Sequence, residues 1–435
     1  MRRVALSAVL LCSLVAPVGA GQILYTTVAS KNRVEAYCLE SRGGMKLDPR
    51  LSVETVENPR RLLVSGDVLY VAGRTRVESF LIRPDGTLER QGKTPPLDGA
   101  NVLDIAVDAA RTHLYVPRRS QGRIEAHPLD AGGGLTGAPF TSCAAMSANV
   151  VLQDVDVVGT SGTELLYTTA ATSPFIGGKR GRVDVFALVG GELPDVASSF
   201  RCDPKVTTTT STSTSSTTNT TTNTTSTTST TIDDRITPPL STRKKLKAPG
   251  PFVLLGDFIY VFDQFNRRIG AFELENGLFT GDDQPRDSKT GQSGQFFDLV
   301  GFGNALVGSQ FEQGRLRIFA LKPDDGGALT ALPKGPQRTT VQIIESTPVR
   351  IGIAEFCACA AGDTACEANP PPPPCAGESQ VVLYVPGGES FRVHAYRFEE
   401  TSKGLLPDTS PFSQTKPRQG SFPNDVAIAR NVTCP

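Results

Sequence analysis

Short segments of alternating apolar and polar residues recur along the chain, each about as long as one β-strand. The clearest segment has the pattern Arg, aliphatic, any residue, small, aromatic, and a Gly-Leu turn signal follows it. Its seven copies are residues 33–37, 76–80, 123–127, 182–186, 268–272, 315–319 and 392–396. Apolar stripes with helical period are scarce. The pattern therefore predicts an all-β protein.

Two further strands precede each copy. The nearer one resembles Leu-Tyr-Val, as in residues 114–116, and the farther one is a short apolar segment. The farther segments are residues 61–64, 104–107, 154–157, 253–255, 298–300, 350–353 and 425–428. With an outer strand after the Gly-Leu turn each unit has four strands, and four strands repeated at a period of about 45 residues are typical of a propeller blade. We therefore predict a seven-bladed β-propeller of four-stranded antiparallel blades, in which residues 21–435 form a single domain.

The two ends of the chain predict how the propeller closes. Residues 22–25 begin directly with the Leu-Tyr strand, without the farther segment. Residues 425–429 supply such a segment with no partners after it. We expect the C-terminal strand to complete the N-terminal blade, since this pairing removes two exposed sheet edges.

The repeat also carries a family resemblance. Residues 114–116 (Leu-Tyr-Val), 122–125 (Gly-Arg-Ile-Glu) and 134–135 (Gly-Leu) resemble the repeat of YVTN and lactonase-type propellers. That group includes proteins similar to 6-phosphogluconolactonase and to carboxymuconate cyclase. The resemblance covers nearly the whole chain after residue 20, apart from two insertions. It implies seven blades with the farther segment innermost, and it implies a lactone hydrolase or cycloisomerase.

The composition and the N-terminal residues indicate where the protein is located and which partners it binds. Lys plus Arg and Asp plus Glu both number 44, which argues against a nucleic-acid partner. Residues 1–20 have two arginines, a short apolar core and small residues at their end, as in a signal peptide. No second apolar stretch follows, so we expect no membrane insertion. We predict an exported protein, secreted or periplasmic, that is a monomer and binds a small molecule or a protein.

Nine cysteines are present, and Cys12 lies in the predicted leader. An even number then remains, which in an exported chain favours disulfides. The eight are Cys38, Cys143, Cys202, Cys357, Cys359, Cys366, Cys375 and Cys434. We expect Cys38–Cys434 to join the chain ends and Cys143–Cys202 to pair, while the last four before Cys434 pair among themselves in one of three ways. A metal site in that cluster is the alternative, but it lacks a CxxC pair and a nearby His.

Two insertions interrupt the repeat. Residues 204–249 are rich in Thr and Ser and predict a disordered linker between an outer strand and the next inner strand. Residues 357–380 are rich in Cys and Pro and fall between the first and second strands of the seventh blade. Connections of these two kinds lie on opposite faces of a propeller, so we expect the insertions to project from opposite faces.

One position early in each innermost strand carries the candidate chemistry. Six of the seven blades have a charged residue there, although strands usually avoid Asp. These candidate ligand-binding residues are Arg61, Asp104, Asp154, Asp298, Arg350 and Asp425. They would converge at the mouth of the central channel and bind a polar ligand or a cation, and oxygen-rich sites of this kind suit Ca²⁺. The alternative is that they cap turns or pair with one another across blades.

Two functions remain open from the sequence. The first is a binding or scaffold protein with its ligand at this mouth, and the second is the lactone hydrolase or cycloisomerase that the resemblance implies. No catalytic motif is recognisable, we assign no metal ligand or cofactor, and His113, His127 and His394 all occupy positions that a strand repeat explains. Hydrolysis of a lactone that depends on Asp298 would distinguish the two functions.

Overall fold

The computed structural model describes residues 21–40, 42–97, 102–118, 122–145, 150–160, 163–172, 181–193, 240–241, 246–264, 266, 268–279, 286–288, 295–302, 305–312, 315–323, 329–331, 339–341, 350–357, 379–387, 392–401, 404–407, 411–416 and 423–432. Within these ranges the protein is all-β, apart from one 3₁₀ turn at Ala29–Lys31. The prediction of an all-β chain is confirmed.

The strands are short, as the alternating segments predict. The first eleven are β1 (Gly21–Val28), β2 (Arg33–Leu39), β3 (Leu51–Glu54), β4 (Arg61–Ser65), β5 (Val68–Ala72), β6 (Val77–Ile82), β7 (Leu88–Lys93), β8 (Ala106–Val107), β9 (His113–Arg118), β10 (Arg123–Pro128) and β11 (Ser142–Ala145). The next ten are β12 (Val150–Val158), β13 (Leu165–Thr172), β14 (Gly181–Ala187), β15 (Leu240–Ser241), β16 (Pro249–Leu255), β17 (Phe258–Asp263), β18 (Arg268–Glu275), β19 (Leu278–Phe279), β20 (Arg286–Ser288) and β21 (Gln295–Phe302). The last ten are β22 (Ala305–Glu312), β23 (Arg315–Pro323), β24 (Leu329–Ala331), β25 (Thr339–Val341), β26 (Gly352–Cys357), β27 (Ser379–Gly387), β28 (Arg392–Thr401), β29 (Gly404–Pro407), β30 (Ser413–Gln414) and β31 (Val426–Val432).

Among the described residues these strands form seven antiparallel sheets of four or five strands. The strand orders are β3-β2-β1-β31, β4-β5-β6-β7, β8-β9-β10-β11, β12-β13-β14-β15, β16-β17-β18-β19, β21-β22-β23-β24 and β26-β27-β28-β29. Three sheets carry an additional short strand, β20, β25 or β30, beside their third strand. Each sheet corresponds to one copy of the sequence repeat.

The C-terminal strand pairs with the N-terminal strand. β31 is antiparallel to β1, with Leu24 opposite Ile428 and Tyr25 opposite Ala427. The first sheet therefore joins the two ends of the described chain, as the sequence predicts.

The apolar core lies between neighbouring sheets. Seven clusters of buried side chains occur among the described residues, and each combines residues of two sheets. Tyr70 of the second sheet packs with Leu114 of the third, and Ala354 of the seventh packs with Leu24 of the first. The sheets thus bury their faces against one another, because a single sheet cannot cover its own apolar face.

In five of the seven sheets, the tyrosine of the Leu-Tyr-Val strand links its sheet to the next. Its buried hydroxyl donates a hydrogen bond to a glycine carbonyl in the outer turn of the following sheet. The pairs are Tyr25 with Gly86 (3.0 Å), Tyr70 with Gly133 (2.5 Å), Tyr115 with Gly191 (2.6 Å), Tyr167 with Gly277, and Tyr384 with Gly43 (2.8 Å). The last pair joins the seventh sheet to the first. We call these bonds the Tyr–Gly clasps.

The structure differs from the sequence prediction in the position of the Thr-rich insertion. β15 pairs with β14 as the outermost strand of the fourth sheet, and Pro249 begins β16, so the end of the predicted linker lies in sheets. The insertion therefore connects the third and fourth strands of one sheet. The pattern of strands could not reveal this, because β15 has only two residues.

This position also changes the expected geometry of the two insertions. In the fourth sheet, Ala187 at the end of β14 pairs with Leu165, and Leu165 pairs with Val158 at the end of β12. The chain therefore leaves β14 at the same edge of the sheet at which β12 ends. In the seventh sheet it leaves at the end of β26. Asp154 and Arg350, near the starts of β12 and β26, lie 3.3 Å apart. With this connectivity a propeller arrangement would place both insertions on the same face, so the expectation of opposite faces no longer follows.

Most of the cysteines lie outside the described residues. Cys38 is the last but one residue of β2 and Cys357 ends β26, and both are buried. Cys143 lies on β11, and the remaining five cysteines after residue 20 fall in undescribed segments. The pairings Cys38–Cys434 and Cys143–Cys202 stay predictions. None of the helical segments in the described ranges is long and apolar enough to cross a membrane.

Candidate functional site

The six charged residues predicted from the innermost strands come together in one cluster. Arg61 Nε lies 2.6 Å from Asp104 Oδ1, and Arg61 Nη1 lies 3.4 Å from Asp425 Oδ2. Arg350 is 3.4 Å from Asp104, 3.3 Å from Asp154 and 3.9 Å from Asp298. Six sheets that are distant in sequence thus bring their charged groups to one place.

Four of the carboxylates also accept a hydrogen bond from the backbone of the following sheet. Asp425 binds the amide of Leu62, Asp104 that of Val155, Asp154 that of Phe252, and Asp298 that of Ile351, at 2.6, 3.1, 3.1 and 2.9 Å respectively. A carboxylate at this position therefore joins two innermost strands. These contacts agree with the alternative interpretation, in which the charged residues pair across sheets.

A cavity of about 450 Å³ opens beside this cluster. Five of the six candidates line it, and Asp425 does not. Asp425 is fully buried, and besides Arg61 it binds the amides of Leu62 and Val426. The contacts with Arg61 and Leu62 join the first sheet to the second. The remaining cavity wall is largely aliphatic, with residues such as Leu63, Val253 and Val300.

The structure adds one carboxylate that the sequence analysis did not select. Asp156 lines the cavity, is exposed to it, and accepts a hydrogen bond only from the adjacent amide of Val157 (2.9 Å) among the described residues. It lies two positions after Asp154 on β12, so strand periodicity places both on one face. That spacing was the signal that could have identified it.

The carboxyl groups of the cluster have different proton affinities. Burial opposes ionisation of Asp104, but Arg350 and Arg61 outweigh it and hold the pKa of Asp104 at about 2. Burial and the neighbouring Asp104 carboxylate raise the pKa of Asp154 well above its usual value. At any given pH Asp154 is therefore protonated to a greater extent than Asp104, and both carboxyl groups contact Arg350.

Two further carboxyl groups titrate closer to neutral pH. Burial raises the pKa of Asp298 to about 6, although Arg350 opposes this shift. Desolvation by the surrounding cavity wall, together with the Asp104 carboxylate, raises the pKa of Asp156 to about 6 as well. Each can accept a proton near neutral pH, which is a property that a general base needs.

Calcium has no recognisable ligand set in the described ranges. They contain no group of three or more His, Cys, Asp or Glu side chains arranged to hold a metal ion. The Arg350 and Arg61 guanidiniums stand among the carboxylates, where a cation would otherwise bind.

The three histidines lie outside the cavity lining. His113 contacts Thr112 (2.9 Å) and Glu192 (3.4 Å) at the junction of the third and fourth sheets. His127 is buried 3.3 Å from Glu125. His394 is buried on β28, and burial lowers its pKa to about 4.

Solved structures with the same fold are numerous, whereas no family model and no curated protein matches the chain. A candidate 6-phosphogluconolactonase from Bacteroides uniformis has a TM-score of 0.61 at 16% identity, covering 94% of this chain and 100% of that chain. The chain has the fold of lactonase-type β-propellers. The periplasmic gluconolactonase of Pseudomonas aeruginosa, at TM-score 0.60 and 14% identity, covers 94% of this chain and 99% of its own. A candidate 6-phosphogluconolactonase from Bacteroides fragilis, at TM-score 0.59 and 13% identity, covers 94% and 98%. At these identities the lactonase-type likeness extends to the fold alone.

Proposed function

We propose that the seven sheets are the blades of one closed seven-bladed propeller, with the charged cluster in its central channel. Innermost strands of successive sheets lie side by side, such as β12 with β16, β16 with β21 and β21 with β26. β26 lies beside β31, and β31 beside β4, which supports closure through the first sheet. An apolar cluster between every pair of neighbouring sheets supports the same arrangement.

Within this channel we propose hydrolysis of a lactone. One observation supports this proposal. The Arg350 guanidinium lies beside the carboxyl groups of Asp298 and Asp154, which differ in proton affinity, and all three residues line one cavity. A hydrolytic site for an ester requires a cation for the carbonyl oxygen, a base for water and an acid for the leaving oxygen.

Each group has one role in the proposed reaction. Arg350 donates hydrogen bonds to the carbonyl oxygen as negative charge develops there. Asp298, as a carboxylate, takes a proton from the attacking water while a new C–O bond forms. The ring C–O bond then breaks, and the proton of Asp154 goes to the leaving oxygen. The product is the open hydroxy acid, and proton exchange with water restores both carboxyl groups.

The test uses Asp298→Asn against lactones of several ring sizes. The asparagine oxygen can still accept the amide hydrogen bond of Ile351, so the fold is retained while the base is lost. We expect kcat/KM to fall about 100-fold or more. In the wild type kcat/KM should rise with pH through about 6, because Asp298 acts only when ionised.

Asp425→Asn is the matched control, because it changes the same kind of inter-sheet carboxylate outside the cavity lining. We expect it to leave kcat/KM within a few-fold of the wild type. Wild-type inactivity towards the whole lactone panel would refute the enzymatic proposal, and equal activity of Asp298→Asn would refute the choice of base.

A binding or scaffold protein without catalysis is the second candidate. It is favoured by the amide hydrogen bonds of Asp104, Asp154 and Asp298, which give these carboxylates a structural use in every case. A polar small molecule that binds the channel without turnover, and loses affinity in Asp298→Asn, would support this candidate.

Export and disulfides complete the proposal. We expect removal of residues 1–20, release to the periplasm or the medium, and a Cys38–Cys434 bond between the first blade and the chain end. Such a bond would stabilise the fold by roughly 3–5 kcal/mol in the loop-entropy model. Intact mass and non-reducing peptide mapping of the exported protein test these expectations.

A further inference from the structure

The cations of the channel are already engaged by carboxylates. Arg61 contacts Asp104 and Asp425, and Arg350 contacts Asp104 and Asp154 and donates to the Leu103 carbonyl at 2.9 Å. An anionic ligand group would therefore have to displace a protein carboxylate from a guanidinium, whereas a lactone carbonyl oxygen needs only one of the five N–H donors of Arg350. Such pairs in a partly desolvated site are costly to break.

The cavity lining itself carries an excess of acidic groups. Four aspartates and two arginines line it, a difference of two, and no lysine or histidine does so among the described residues. The surroundings also disfavour additional negative charge, since burial already raises the pKa of Asp298 and Asp156 to about 6. A phosphate or carboxylate on a ligand would meet the same penalty.

Asp156 is the carboxylate that differs from the others. It has no ion pair with an arginine or lysine in the described part of the chain, makes no hydrogen bond to a neighbouring sheet, and faces the open cavity. Its oxygens are the ones that can accept hydrogen bonds from a ligand. Hydroxyl and ammonium groups are the donors that suit a carboxylate.

We propose that the channel excludes anionic ligands and accepts uncharged or cationic, hydroxyl-rich ones, and that Asp156 sets this selection. For catalysis, this inference rests on the proposed lactone hydrolysis. The substrate would then be an unphosphorylated sugar-type lactone, and its 6-phosphate ester would be a poor substrate. The charge selection itself concerns binding and is independent of turnover.

The binding experiment uses three stable sugars that differ mainly in charge: glucosamine, glucose and glucose 6-phosphate. Affinities are measured by ligand-observed NMR titration at pH 7.5 and low ionic strength. We expect glucosamine to bind at least as well as glucose, and glucose 6-phosphate at least about tenfold more weakly, as Coulomb repulsion at a partly desolvated site implies. Added salt should reduce the difference.

Asp156→Asn should raise the affinity for glucose 6-phosphate relative to glucosamine by about fivefold or more. Asp48→Asn is the control, because it removes the same charge from an exposed site paired with Lys416, outside the cavity lining. It should leave the relative affinities unchanged. Binding of glucose 6-phosphate as tight as that of glucose, or no binding of any of the three sugars, would overturn the inference.

The kinetic experiment separates this inference from the proposed reaction. A neutral hexonolactone and its 6-phosphate ester are compared in the wild type, and we expect kcat/KM to favour the neutral lactone at least about tenfold. If neither is hydrolysed while the sugars bind in the expected order, lactone hydrolysis is wrong and the charge selection stands. If the phosphate ester is hydrolysed equally well, hydrolysis stands and the charge selection is wrong.

Discussion

Replacement of Tyr115 by phenylalanine removes one Tyr–Gly clasp with little other change. The Tyr115 side chain is completely buried, and its ring packs between the third and fourth sheets with Ala106 and Leu166. Its hydroxyl donates to the carbonyl of Gly191 at 2.6 Å, and Gly191 is buried too. In Tyr115→Phe the ring keeps its apolar contacts, and the carbonyl oxygen loses its partner.

The expected cost follows from that loss. A buried carbonyl left without a hydrogen-bond donor costs about 1–3 kcal/mol, and retained packing adds little to it. The free energy of unfolding should therefore fall by this amount in urea denaturation, with an unchanged slope against urea concentration. Tyr70→Phe should cost a similar amount, and the double variant should show the sum, because the two clasps join different pairs of sheets.

The control is Tyr396→Phe. Tyr396 is equally buried, on β28, but its hydroxyl has no hydrogen bond to the described residues. We expect a loss below about 0.5 kcal/mol. If Tyr115→Phe is no less stable than Tyr396→Phe, the clasps do not hold the sheets together and the reasoning is refuted.

Three further predictions concern stability. Burial lowers the pKa of His394 from 6.5 to about 4, so protonation of this ring favours the unfolded state. The free energy of unfolding should therefore be highest above pH 6.5 and fall by roughly 3 kcal/mol as the pH drops to 4. In His394→Phe, the free energy of unfolding in urea should depend less on pH over that range. Gly86→Ala should lower the thermal unfolding midpoint, because Gly86 has φ of +75° and a Cβ there would lie 1.9 Å from Ile23 Cδ1. The sixth sheet has Leu306 where five other sheets have a clasp tyrosine, so its β22 amides should exchange hydrogen faster than those of β9, and equal protection would contradict this.

The candidate site was only partly accessible from the sequence. The sequence repeat identified the position shared by Asp104, Asp154 and Asp298, because each repeat unit has one equivalent residue there. It did not distinguish Asp425, which lies behind the cavity lining, from the residues that face it. It also did not identify Asp156, because only one of the repeats carries an acid at that second position.

The sequence by itself determined the strands, their order and the pairing of the chain ends, since these follow from local alternation and from a repeat that each sheet satisfies separately. It also identified the Leu-Tyr-Val strand and the Gly-Leu turn of the repeat, whereas the hydrogen bonds that join them across sheets were evident only in the tertiary structure. Only the tertiary structure decided that a two-residue strand, β15, follows the Thr-rich insertion, because so short a segment has no periodicity. Likewise only the fold decided how the pKa values of the channel carboxyl groups differ. Burial and distance to Arg61 or Arg350 control that, and both depend on sheets far apart in the chain.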